Sequence, residues 1–237
     1  MALPKIGYPT YELELPSSGK TVKYRPFLVK EEKVLLMALE GGDEKATTNA
    51  VKDLLKNCVI SRIKVDQLPS FDLEYLFLKI RAASIGELIT LTVTCLDDNE
   101  TKVEAAINIE DVEVFKPEGH TSKIMFDDTT GIVMKYPSMQ QFVNREFLQK
   151  ELKTEEVYDF IAESIDQIFD GEEVYDSTTT TKKEFRTFVD GLTTKQFEKI
   201  QEFYSTAPKL SHTFTVKNPE TGKESEYTIE GLQSFFA

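Results

Sequence analysis

Apolar and polar residues alternate along 10–29, through TYELELP, a Ser-Ser-Gly-Lys turn and TVKYRPFLV. A period of two predicts a β-hairpin, and Pro26 puts the end of its second strand at an edge. The period then lengthens. In KEEKVLLMALEGG, Val34, Leu35, Ala38 and Leu39 fall on one helical face, acidic residues open the first turn, and Gly41 and Gly42 close it. A second helix is predicted over 44–59, with Ala50, Leu54, Leu55 and Cys58 on its apolar stripe. LPSFDLEYLFLKIRAASIGE is the most regular helical stretch: Ser70 or Asp72 can cap it, Leu73, Leu76, Phe77, Ile80 and Arg81 follow at helical spacing, and Gly86 ends it.

Alternation returns in TVTCLDDNETKVEAAINIEDV, a hairpin with an acidic tip, and again around Asp-Thr-Thr-Gly, where 123–127 and 132–136 form a third hairpin. Pro137 ends it, and Ser138 starts a predicted helix carrying Met139, Phe142 and Phe147. TEEVYDFIAESIDQIFDG reads as one amphipathic helix with Val157, Phe160, Ile161, Ile165, Ile168 and Phe169 inward. After the polar stretch EEVYDSTTTTKK come two helices split at DGLTTKQ, where Gly191 breaks the first and Thr193 or Thr194 caps the second; Phe197, Ile200, Phe203 and Tyr204 share a face of the latter. A last hairpin, SHTFTVKNPETGKESEYTIEGL, precedes QSFFA. The expected fold class is α+β: antiparallel hairpins with inserted helices, then a helical C-terminal part ending in a zinc-ribbon-like hairpin without metal ligands. Two domains are expected, a strand-rich 1–150 with a hairpin insertion at 87–113, and a mainly helical 151–237 with the terminal hairpin at 211–229.

Composition narrows the function classes. The 237 residues are 40% hydrophobic, enough for a substantial core. Acidic residues outnumber basic ones, 41 to 28, giving a formal charge of -13 with no basic cluster, so nucleic acid is not an expected partner. No apolar run approaches the about 20 residues of a membrane span, and the start, MALPKIGYPTYELEL, lacks signal-peptide order. A soluble, cytoplasmic protein is expected. The two cysteines, Cys58 and Cys95, fall on segments of different predicted type and form no disulfide framework. Cys58 reads as a small buried apolar group.

The hairpins around Cys95 and at the C-terminus resemble each other. Each has an apolar-Thr-Val entry, a tip rich in Asp, Glu, Asn and Gly, a polar return strand and an Ile-Glu exit. A structural zinc site needs four ligands, usually as two close pairs. The first tip offers one cysteine, the second none, and His120 and His212 are too scattered to complete a set; both read as strand-edge residues rather than bases. No cofactor is expected. Phosphate loops, HExxH and Gly-x-Ser-x-Gly are all missing. A metal-dependent hydrolase using Asp97, Asp98, Asp127 and Asp128 is the alternative function, although each pair lies in a turn, where aspartate bonds its own backbone. Mimicry of nucleic acid through negative charge is a third reading.

Apolar features carry the most functional content. FDLEYLFLKIRAAS is apolar around much of its surface, so it is either buried on all sides or meets a partner. Adjacent Phe235 and Phe236 must dock on the domain or lie in an interface. The candidate partner-binding residues are therefore Leu73, Tyr75, Phe77, Arg81, Leu232, Phe235 and Phe236.

PTYELELPSSGKTVKYRPFLVKEEKVLLMALE, FDLEYLFLKIRAASIGELI, TGIVMKYPSM and YTIEGLQSFF together resemble the baseplate hub assembly subunit of T-even-type contractile-tailed bacteriophages, over about 9–236. That resemblance implies a non-enzymatic virion-assembly protein, whose partners are other baseplate hub or tail assembly proteins. It implies residence in the host cytoplasm during assembly, and leaves open a homo-oligomer within the baseplate and a place in the virion tail baseplate. Some members carry cysteine pairs at the tip held here by Cys95, Leu96 and Asp97; with one cysteine, this chain does not inherit zinc.

Overall fold

In the computed structural model of the protein, residues 7–42, 44–138, 154–231 and 234 are described. The expected α+β class holds: six α-helices alternate with small antiparallel sheets among these residues. The first hairpin joins β1 (Tyr11–Glu14) to β2 (Thr21–Tyr24). It is followed by α1 (Val29–Glu40), α2 (Glu44–Cys58) and α3 (Ser70–Ile85). β3 (Leu88–Thr94) and β4 (Lys102–Asn108) form the second hairpin, and β5 (Glu113–Phe115) follows a short 3-10 turn.

Asp72 and Ser70 do not cap α3 as expected. Its N-cap is Pro69, without a side-chain bond, and Asp72 is fully buried, where its carboxylate accepts from Ser17 N at 3.0 Å and from the Ser17 hydroxyl. The tip of the first hairpin is thereby fastened to α3. Burial pushes the Asp72 carboxyl up, against those bonds. α1 is placed by a second buried ion. Arg25 Nη2 donates to Glu31 Oε1 at 2.8 Å and Nη1 to Oε2 at 3.0 Å, while Leu28 N donates to the same carboxylate. Arg25 N bonds Cys58 O at 3.0 Å, so one residue holds both the start of α1 and the end of α2. Cys58 is buried as expected, and its thiol is pushed up to about 11.

The residues 116–208 form a second compact unit; the first comprises 1–115 and 209–237. The boundary expected near 150 lies outside the described residues, as do Met139, Phe142 and Phe147 of the helix expected after Ser138. This unit contains β6 (Lys123–Met125), β7 (Thr130–Met134), α4 (Thr154–Ser164), β8 (Ile165–Asp170), β9 (Glu173–Asp176), α5 (Lys182–Asp190) and α6 (Thr194–Ser205). Its sheet runs β6-β7-β8-β9. The stretch expected as one helix over 154–171 ends at Ser164, whose hydroxyl bonds Phe160 O and whose carbonyl accepts from Lys135 N in the sheet. Register shifts between Val133 and Met134, which pair with Gln167 and Ile165, leaving Asp166 as a bulge. Because of that extra residue, Ile165 and Ile168 both face the core at a spacing that imitates a helix. Gly131 is required here: a Cβ would overlap Ile124 O and the Phe169 ring. Thr181 and Thr193 make capping boxes with Glu184 and Gln196, the latter as the sequence predicts.

β10 (Lys209–Lys217) and β11 (Glu224–Glu230) return to the first unit, where β10 pairs with β5 as well as β11. Their inward face packs with β3, β4 and α3 in a core of Leu78, Ile89, Leu91, Ile107, Ile109 and Leu210.

Candidate functional site

The two hairpins that resemble each other in sequence meet at their tips. Cys95 N bonds Thr101 O at 2.7 Å and Cys95 O accepts from Asn99 N at 2.9 Å; Asn218 N bonds Lys223 O at 2.8 Å and Asn218 O accepts from Gly222 N at 2.9 Å. Asn99 and Gly222 occupy the same left-handed position, φ 58° and 74°, which only Gly, Asn or Asp adopt readily. The β1–β2 tip closes in the same way, with Leu15 in the first place and Gly19 in the left-handed one. Leu15, Cys95 and Asn218, the first residues of the three tips, are all buried.

Asn218 fastens the two tips together. Its Nδ2 donates to Asp97 Oδ1 and to Asp98 Oδ2, both at 2.9 Å, while its Oδ1 accepts from Glu220 N. The Thr221 hydroxyl also donates to Asp97. Tyr227 adds a second tie: its hydroxyl accepts from Leu96 N at 3.0 Å and donates to Thr94 O at 2.9 Å. Bonds from Asn218 and Thr221 hold Asp97 below the usual carboxylate range, and those from Thr101, Glu100 and Asn218 hold Asp98 far below it. The Cys95 thiol is pushed up, by burial first and by Asp98 and Asp97 next, which disfavours the thiolate a metal would require. An amide thus does with hydrogen bonds what a metal does with ligands in a ribbon. Among the described residues, no three His, Cys, Asp or Glu side chains are gathered as a metal site.

Asp127 and Asp128 belong to the second unit. Asp127 Oδ1 accepts from Thr129 N at 2.9 Å and Thr130 N at 2.7 Å, so it closes its own turn, and those backbone bonds lower its pKa. The four carboxylates of the hydrolase reading therefore fall into two turn motifs in separate units. His120, expected at a strand edge, is stacked on Tyr136 and Phe203, with Nδ1 2.9 Å from Thr206 Oγ1 and Nε2 2.8 Å from the Tyr136 hydroxyl. His212 does lie in a strand, stacked on Phe214.

The expected partner helix is α3, and most of it is core. Leu73 and Phe77 are each 1% exposed, so both are corrected from interface to interior residues: α2 covers one side of α3, and the second and last hairpins cover another. Tyr75 and Arg81 are partly buried. Tyr75 packs against the hairpin core under Lys79, and Arg81 Nη1 is buried without a hydrogen-bond partner among the described residues. Leu232, Phe235 and Phe236 lie outside the described residues. Among the described helices, α1 leaves the most apolar side chains exposed: its inward face is centred where the spacing predicts but is narrower. Val34 and Leu39, expected inward, are 54% and 46% exposed, while Glu31 is buried and Leu35 and Ala38 are half-buried. Val29, Leu36 and Met37 are 80%, 51% and 62% exposed. A signal for this existed: no helical face of VKEEKVLLMALE is wholly polar, more apolar surface than one neighbour can cover.

Comparison with known proteins adds one finding. The family model described as T4 bacteriophage base plate protein matches residues 8–237. No curated protein and no solved structure matches the chain.

Proposed function

Because the chain belongs to the T4 bacteriophage base plate protein family, we propose that it is a hub subunit or hub assembly factor of the tail baseplate. It works through protein–protein contacts and without catalysis. The observation that carries this reading is the apolar outer side of α1, left open while the other described helices, Ile85 at the end of α3 excepted, keep their large apolar side chains buried or half-buried. Large apolar groups exposed together mark an interaction surface. Its partners are other hub or tail assembly proteins, met in the host cytoplasm, and as a subunit its final place is the virion tail baseplate. No described helix is long and apolar enough to cross a membrane. The partly exposed sides of Tyr75 and Arg81, with Leu232, Phe235 and Phe236, are proposed as a further contact.

Mass spectrometry of purified virions beside hub assembly intermediates tests the role. Presence in both marks a subunit, presence in intermediates alone marks an assembly factor, and absence from both contradicts the proposal. Leu36→Asp is expected to leave the fold intact and abolish capture by recombinant hub proteins.

A further inference from the structure

We propose that the outer face of α1 pairs with the same face of a second copy of this chain, antiparallel about a two-fold axis. The inference rests on the contact reading above and names the partner. With Glu31, Leu35 and Ala38 turned inward, the opposite side of the helix carries Val29, Lys33, Leu36, Met37 and Glu40, all of them exposed. Three apolar side chains thus share a stripe with one cation and one anion. Neither Lys33 nor Glu40 has an ion partner among the described residues, whereas Glu31 on the inner side is held by Arg25.

The placement of those two charges selects the partner. Lys33 and Glu40 are equidistant in sequence from the midpoint between Leu36 and Met37. When two such helices lie antiparallel with the axis at that midpoint, Lys33 of one copy faces Glu40 of the other, twice, and Leu36 meets Met37 at the centre. A parallel pairing sets Lys33 on Lys33 and Glu40 on Glu40. The stripe is therefore complementary to itself in one orientation, as an isologous interface requires. A helix of 12 residues is about 18 Å long, and its face is small against the about 1,200 Å² of stable complexes. Pairing is accordingly weak in dilute solution and strong where an assembly holds two copies close.

Sedimentation equilibrium of the full chain at low salt, over a wide concentration range, tests this. The wild-type chain is expected to show a monomer–dimer equilibrium. Lys33→Glu and Glu40→Lys each turn two attractive pairs into repulsive ones and should weaken it about tenfold. The double exchange restores the pairs and should return dimerisation to within about twofold of wild type. Circular dichroism of all variants should be unchanged, since both positions are exposed. A wild-type chain that stays monomeric throughout, or a double exchange no better than the single ones, overturns the pairing. If such a chain still loses hub capture on Leu36→Asp, self-pairing alone has failed and the contact reading stands.

Discussion

Helices α3 and α1 carry apolar side chains around most of their circumference, yet one is the centre of its unit and the other is its open side. In α3, Phe71, Leu73, Leu76, Phe77, Leu78 and Ile80 are all buried, and even Asp72 and Lys79 have been taken inside, each with a partner: Ser17 for the aspartate, Glu110 at 2.9 Å for the lysine. In α1 the one buried side chain is Glu31, and the aliphatic residues are left out. Neighbours explain the difference. α3 packs against α2, β5, β10 and the 3-10 turn before β5, whereas α1 packs chiefly against α2. Apolar character on every face says that a helix will be covered; it does not say by which chain.

The largest effect should separate the two helices at once. Phe77→Ala removes a buried ring from α3 and should cost about 3–5 kcal/mol in urea unfolding; a loss below 1 would place the core elsewhere. Arg25→Met removes the buried partner of Glu31, the pair having side-chain exposures of 9% and 5%, and leaves only the exposed Lys30 at 3.8 Å. It should cost about 3 kcal/mol, and hydrogen exchange should rise most in the first turn of α1 while α3 keeps its protection. Glu74 sharpens the picture of α3 through pH. Burial pushes its carboxyl up to about 7, above the unfolded value of about 4.3. The folded state therefore holds the proton more tightly, and stability falls as pH rises through that window. Glu74→Gln should stabilise by about 1–3 kcal/mol at pH 8 and change nothing at pH 4; equal effects at both would remove burial as the cause. Asn218→Ala leaves both helices alone and unfastens the hairpin tips, for about 1–2 kcal/mol. Leu36→Ala, on the open side of α1, should stay within about 0.5 kcal/mol.

The sequence made much of this legible where signals were local. Alternation, turn residues and caps located the hairpins, α2, α5 and α6, and the likeness of the tips at Cys95 and Asn218 turned out to be an equivalence of backbone hydrogen bonds. Non-local terms were not legible. Pairing of Lys209 with Phe115 joins residues on either side of a whole second unit. The bulge at Asp166 shifted a strand into helical spacing, and only its partner β7 reveals it. α1 turns inward the face its spacing predicts, around Leu35 and Ala38, but Val34 and Leu39 at its margins stay exposed, because the width a neighbour covers is not a local property. In α3, apolar residues on every side read equally as core or as contact surface, and the interior of its own unit uses Leu73 and Phe77. At the site, two sequence-distant tips supplied each other's partners, so that a would-be metal position became a clamp made by one amide.

The proposed assembly surface of this baseplate protein is the outer side of α1, with the body of α3 reserved for its own core. Amide hydrogen exchange, read residue by residue in the dilute free chain and again in the assembled baseplate, tests it most directly. The prediction is that α3 exchanges only with global unfolding in both states, while α1 is weakly protected in the free chain and gains protection on assembly. Unchanged exchange in α1, with new protection arising along α3, would contradict it.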